Sequence, residues 1–187
     1  MTSPRISTLD TPHLLLRPLR NDDADALLAI FSDPEVMRYW NTPPWTTRQD
    51  ALAFIAGTTA ALAEGATLAL GIVRKADQQL IGKCLLAAYA PASRRAELGF
   101  GIARQAWGQG HVQEAVGALI AHAFDALGLR RIGAEIDPAN LASARALERL
   151  GFQREGLLRQ RWEIDGVLSD SALYGLLRDD RDPRPSR

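Results

Sequence analysis

The sequence predicts one α/β (α+β) domain: a mixed, mostly antiparallel central sheet of about seven strands, flanked by helices. Three observations predict it. Alternating runs at 13–19, 67–74 and 80–88 read as antiparallel strands, a strand–helix–strand unit spans 96–136, and a long hairpin closes the chain around Asp165-Gly166. At 187 residues, of which 47% are hydrophobic and 24% charged, the chain is long enough for one sizeable core and too short to need two. The domain is therefore expected over 1–177, with a charged, proline-bearing tail at 178–187 that reads as disordered.

Each element has a local reason. After the strand at 13–19, Asn21, Asp22 and Asp23 introduce a helix over 24–31, with acidic side chains near its positive end. Asp33-Pro34 starts a brief helical piece. Tyr39, Trp40, Pro43, Pro44 and Trp45 then form an aromatic, proline-stiffened loop before a helix over 47–63. The strands at 67–74 and 80–88 turn near Asp77-Gln78. Residues 96–102 are the central strand. Val112, Ala115, Val116, Leu119, Ile120, Ala123, Phe124 and Leu127 recur at helical spacing and make 112–127 the crossover helix to a strand at 131–136. Asn140 can cap a helix over 141–150 whose apolar side is Leu141, Ala144, Leu147 and Leu150, and Gly151 supplies its left-handed stop. Asp165-Gly166 is a type I′ turn signal between strands at 152–164 and 167–177.

The most informative stretch is Arg104 to His111, where Gly108 and Gly110 stand between a strand and a helix start. That geometry aims free backbone N–H groups and a positive dipole end at one point, which suits a phosphate or pyrophosphate. It is not a dinucleotide fingerprint, because Gln113 stands where the third glycine is needed. Nor is it a phosphate loop of the Gly-Lys-Ser/Thr type, because His111 and Val112 follow Gly110.

Gln105-Ala106-Trp107-Gly108-Gln109-Gly110 resembles the Q/R-x-x-G-x-G/A signature of the GNAT acetyltransferase superfamily. Asn140 to Phe152 resembles that superfamily's N-x-x-S-x-x-x-L-x-x-x-G-F block. Glu97-Leu98-Gly99-Phe100-Gly101-Ile102, and Asp165-Gly166 followed by Asp170, Tyr174 and Leu176, resemble its Rim-type branch, the ribosomal-protein N-terminal acetyltransferases. The likeness covers about 13–177, and the ordered set is far more specific than any one motif. It implies acetyl-CoA as co-substrate, a splay between the two central parallel strands, and transfer of acetyl to a primary amine, foremost a protein N-terminal amine. Transfer to a small amine such as a polyamine, amino acid or aminoglycoside, or a non-catalytic acyl-CoA-binding module, are the alternatives.

By that resemblance, Gln105, Trp107, Gly108, Gln109 and Gly110 lie at the pyrophosphate, and His111 contacts phosphate or takes a surface role. The backbone of Phe100, Gly101 and Ile102 takes the pantetheine arm, with Gly99 and Gly101 leaving room for close approach. Asn140 contacts the pantetheine in addition to capping its helix, and Ser143 lies near the thioester sulfur, where its hydroxyl can donate to the thiolate. Many GNAT enzymes carry a tyrosine acid four residues later, where this chain has Leu147, which leaves Ser143, water or no acid at all. Glu97 is the candidate group that takes a proton from the amine or holds its ammonium; an ion pair with Arg94 or Arg95 is the competing reading. Trp40 and Trp45 wall the acceptor or belong to the core. Asp170 and Tyr174 face the acceptor from the final hairpin, or Asp170 is a plain surface charge.

The remaining composition excludes other classes. With 22 basic and 22 acidic residues, nothing global draws the chain to nucleic acid or an anionic membrane. A lone cysteine, Cys84, and three scattered histidines offer no disulfide and no metal-ligand spacing, so no metal is expected. No apolar run reaches membrane-spanning length, and residues 1–11 lack a secretory pattern; a cytoplasmic setting fits, with a homodimer through a sheet edge left open.

Overall fold

A computed structural model describes residues 8–181; the N-terminal segment 1–7, read above as lacking a signal, and residues 182–187 of the expected tail lie outside it. The described residues form eight strands, β1 (Leu9–Asp10), β2 (Leu14–Pro18), β3 (Leu68–Arg74), β4 (Leu80–Ala90), β5 (Arg95–Ile102), β6 (Arg131–Ile136), β7 (Gln153–Ile164) and β8 (Val167–Leu177). The helices are α1 (Ala24–Phe31), α2 (Pro34–Met37), α3 (Arg48–Ala63), α4 (His111–Asp125), α5 (Leu141–Arg149) and a single turn α6 (Arg178–Arg181). That last turn corrects the expected tail at its first four residues.

One sheet runs β1-β2-β3-β4-β5-β6-β8-β7, and every neighbouring pair is antiparallel except β5–β6. The extra strand over the expected seven is β1, whose two residues pair with β2 and are too few to carry a period. Turn chemistry holds where it was read: Asp165 and Gly166 take φ 50° and 79°, and Gly151 takes φ 92° after α5.

Alternation along β5 sorts the layers. Ala96, Leu98 and Ile102 face a main core with Val116, Leu119, Ile120 and Phe124 of α4 and Leu147 of α5. Arg95, Glu97, Gly99 and Gly101 face the other way, toward α1 and α3, which share a second core of Leu27, Ile30, Phe31, Ala51 and Ile55. Phe31 and Trp40 lie directly on Gly101, where a Cβ would sit 2.8 Å and 2.7 Å from their rings. The space at Gly101 is thus filled from within the chain on this face, and a Cβ at Gly99 would likewise meet Leu85 at 3.2 Å, in place of the ligand approach expected there.

Gly82 on β4 is the tightest backbone contact beside this region, since a Cβ there would run into the Gly101 carbonyl oxygen and lie 3.0 Å from Ile102 Cα. Backbone cannot step aside as a flexible side chain can. Gly82→Ala is expected to destabilise the fold by about 1–3 kcal/mol, read as a lower urea midpoint at unchanged slope.

Candidate active site

β5 and β6 pair in parallel from Arg95↔Arg131 to Leu98↔Ala134 and then stop. β5 stays paired with β4 as far as Ile102, and β6 stays paired with β8 as far as Ile136. From Gly99 onward the two strands therefore part, leaving a β-edge of Gly99 to Ile102 without a partner on the β6 side. Both strands run into helices at this same carboxyl edge, where open α/β sheets take their ligands.

The loop from β5 to α4 is fixed by its own side chains. Trp107 Nε1 donates to the Ile102 carbonyl at 3.0 Å, while the Trp107 ring is 46% exposed. Gln109 Nε2 donates to the Gln105 carbonyl at 2.8 Å. Gly108 and Gly110 adopt φ 72° and 80°, and a Cβ on either would meet nothing within 4 Å, so the space over the helix mouth is open. No side chain caps α4, in contrast to Asn140 on α5 and the Thr47–Asp50 capping box on α3. The first-turn amides of α4 are left facing that space. His111 opens the helix with its Nε2 buried and unpaired.

A carboxylate on such a mouth would repel a phosphate, and Glu114 sits on the first turn. It is engaged elsewhere: Thr11 Oγ1 (2.6 Å) and the His13 backbone N–H (2.7 Å) donate to Oε1, and His13 Nδ1 lies 3.0 Å from Oε2. Burial alone would push this carboxyl up, yet those donors outweigh it and hold Glu114 at about 2.

α5 starts beside α4, tied to it by Gln113 Nε2 donating to the Ala146 carbonyl at 2.8 Å. Asn140 Oδ1 accepts from the Ser143 backbone N–H at 3.1 Å, the expected cap. Ser143 is half-buried in the first turn, and Leu147 is fully buried in the main core, so no acid acts from that position.

Glu97 is half-buried on β5, opposite Gly133 of β6. Its carboxylate lies over Gly133, where any Cβ would collide with it. Burial raises its pKa; Arg95 and Arg131 pull it back, and Glu135 and Glu155 push it up. Arg95 Nη1 stands 3.2 Å from Oε1. Both readings of Glu97 thus have an observation: the ion pair with Arg95 forms, and the raised pKa of a proton acceptor is there as well.

The aromatic loop does two things at once. Trp45 packs on Phe31 (5.1 Å between centroids) and Phe54 (5.5 Å), and Trp40 meets Phe31 edge-on at 5.4 Å, so both tryptophans border the second core. Together the four rings enclose Lys83 of β4, a residue that sequence reasoning missed. Its Nζ lies 3.5 Å from the centroid of Phe54, 4.3 Å from Phe31, 5.1 Å from Trp45 and 5.2 Å from Trp40. Burial pushes this amine down to about 7, and among the described residues no charged side chain offsets it. The only sequence signal was a lysine inside the apolar run Leu80 to Leu86.

One hairpin candidate is placed differently from expectation. Tyr174 pairs with Ala134 on the α4 face, is 4% exposed and belongs to the main core, which corrects its assignment to the acceptor wall. Asp170 Oδ1 accepts from the Gln160 backbone N–H at 2.8 Å and so braces the bulge of β7, where Gln160 takes φ 50°.

Between about 7 and the ordinary lysine value of 10.5, the unfolded chain keeps a proton on Lys83 that the folded chain gives up. Folded stability therefore rises with pH through that window, and the burial penalty is complete below it. Lys83→Met is expected to raise the melting temperature by several degrees near pH 6, with the gain vanishing toward pH 10, as thermal unfolding across pH would show.

Residues 13–153 match the family model described as an acetyltransferase (GNAT) domain. The chain is similar to the N-acetyltransferase p20 of Bacillus licheniformis, 37% identical over 92% of this chain and 97% of that protein. It is also similar to the ribosomal protein uS5-alanine N-acetyltransferase of Escherichia coli, 27% identical over 94% of this chain and 93% of that one. Among solved structures, RimJ of Mycobacterium smegmatis in complex with CoA-disulfide superposes with a TM-score of 0.82 at 26% identity, covering 91% of this chain and 84% of that one. With a parted parallel pair, an uncapped glycine-led helix beside it and a family match across three quarters of its length, the chain belongs to the GNAT acetyltransferases and is an acetyl-CoA-dependent N-acetyltransferase.

Proposed function

We propose that this enzyme moves acetyl from acetyl-CoA to a primary amine at the end of a protein chain, in the cytoplasm. The carrying observation is the parting of β5 and β6 after Leu98↔Ala134 beside the uncapped mouth of α4. A diphosphate suits the amides around Gly108, Gln109, Gly110 and His111, with Gln105 and Trp107 shaping the loop. A pantetheine arm suits the unpartnered edge at Phe100, Gly101 and Ile102, with Asn140 beside it. The acceptor's class rests on similarity to the uS5-alanine enzyme and RimJ; a small amine is the second outcome of the test. Comparing N-terminal acetylation across a proteome with and without this protein, alongside a small-amine screen, separates the two. Peptide termini unchanged while a small amine is acetylated would overturn the protein acceptor.

Acetyl-CoA supplies an acyl group on a thiolate leaving group; the chain's residues handle protons and position. Glu97 accepts a proton from the incoming amine, or from a water between them, because its raised pKa sits closer to working pH. Gly133 gives that carboxylate its room. The Ser143 hydroxyl donates to the sulfur as it departs. Trp40 and Trp45 form one wall of the acceptor slot, and Asp170 holds the hairpin on the other side, where its second oxygen attracts a cation.

Three outcomes check these roles. Gly110→Asp is expected to weaken CoA binding by roughly tenfold or more in calorimetry, through positive-φ strain of about 1–2 kcal/mol plus charge repulsion. Ser143→Ala is expected to lower kcat by about ten- to a hundred-fold with CoA affinity intact; a normal kcat would remove the serine acid. Glu97→Gln is expected to lower kcat/KM and flatten its acid limb, since the carboxylate works only when deprotonated, above its raised pKa.

A further inference from the structure

β7 is the outer strand of the sheet, and it departs from regular pairing in its middle. Leu158 pairs with Ser171 and Trp162 with Ser169, so the three residues Arg159, Gln160 and Arg161 stand opposite the single residue Asp170. Gln160 takes φ 50°, a left-handed conformation that is costly for a residue with a side chain, and the Asp170 carboxylate holds it there through the Gln160 backbone N–H. A bulge of this kind re-aims side chains. Here it opens a cleft at the margin of the sheet, lined by Leu157, Leu158, Arg159, Gln160, Arg161 and Asp170.

The bulge is tied to the place where β5 and β6 part. Glu135 is the first residue of β6 beyond the last pair, Leu98↔Ala134, and it points to the same face as Glu97. Arg161 Nε (3.1 Å) and Trp162 Nε1 (2.9 Å) both donate to Glu135 Oε1, reaching across β8 to do so. Arg161 also lies over the Trp162 ring, 4.8 Å from its centroid, and is thereby fully engaged. Arg159 is not: it is exposed, and among the described residues no ion pair holds it. The surface between the two places is open. α1 and α3 stand over β3 and β4, and beyond them the same face carries Glu135, Leu173 and Leu177, exposed or half-buried, on the way to β7.

We propose that the β7 bulge is a second recognition site for the acceptor chain, where Arg159 takes the carboxylate of an Asp or Glu side chain downstream of the terminus being acetylated. Reach sets the position. β5, β6, β8 and β7 are successive strands, so about 14 Å separates an amine beside Glu97 from the bulge. An extended chain rises about 3.3 Å per residue, so about four residues span that gap. The acidic side chain therefore belongs at the fourth or fifth position of the acceptor. A guanidinium suits it, because its planar fork meets a carboxylate with two parallel hydrogen bonds. Charge favours the same ligand, since two arginines line the cleft against one carboxylate, and that carboxylate is engaged by the Gln160 amide. Leu157 and Leu158, 45% and 38% exposed, offer apolar contact to the flanking side chains.

This deepens the protein-terminus reading above and rests on it; the test keeps the two apart. The full-length protein is assayed with acetyl-CoA and short peptides with free N-termini that differ only at the fourth and fifth positions, filled with Glu, Gln or Lys. The expected KM for the Glu peptide lies roughly threefold below that of the Gln peptide and roughly tenfold below that of the Lys peptide, with kcat alike and the gap closing in high salt. Moving the Glu pair to the far end of the peptide should abolish the advantage. Arg159→Glu should invert the order, so that the Lys peptide has the lowest KM, a gain that loss of a merely structural arginine does not produce. Equal KM values for three peptides that are all acetylated, or an order unchanged in Arg159→Glu, overturn the recognition by Arg159 alone. No peptide acetylated while a small amine is overturns the reading beneath it.

Discussion

The β5–β6 ladder ends at Leu98↔Ala134, and the site is built around that ending. Two parallel strands can part only if each keeps its other neighbour, since an orphaned buried strand would strand its backbone polar groups. β4 holds β5 to Ile102 and β8 holds β6 to Ile136. The cost of the gap is thus confined to one edge, and that edge is what an extended ligand can complete in the manner of an added strand. The helices that follow β5 and β6 then open beside the gap because of strand direction alone.

The two faces of the sheet divide the labour. The α4 face carries the main core and the open mouth of α4, whose loop is fixed by Trp107 and Gln109. The opposite face carries Glu97, the aromatic loop and Lys83. Gly101 and Gly133 serve that face for different reasons: one lets rings rest on the strand, and the other clears space for a carboxylate. Charge is arranged there as an alternation of Arg95, Arg131, Glu97, Glu135 and Glu155, in which burial and the neighbouring carboxylates raise the pKa of Glu97 and the two arginines pull it back.

Much of this was legible in the chain because it is local. Helix starts and stops at Asn140 and Gly151, the Asp165-Gly166 turn and the glycine pair before α4 each declare themselves within a few residues. What stayed hidden depends on contacts between distant segments. Lys83 sits in a run that reads as a half-exposed strand, and the rings that cage it come from positions 31, 40, 45 and 54, on two helices and a loop. Tyr174 was misplaced because Ala172 to Leu177 is apolar on both phases, so period alone does not choose the face. Asp170 reads in the sequence as an acceptor contact or a surface charge; the backbone amide it accepts from lies across a bulge, which no spacing announces.

The grip of Thr11 and His13 on Glu114 joins the outermost edge of the sheet to the first turn of α4. Residues just ahead of the first long strand are therefore tied to the mouth of α4, although 103 residues separate Thr11 from Glu114 in the chain. A fusion joined at Leu14, or a protease cut before it, would leave the Glu114 carboxylate without the donors that hold it beside the open mouth of α4. The segment ahead of β2 is thus a brace on the start of α4, and trimming it would free a first-turn carboxylate to move.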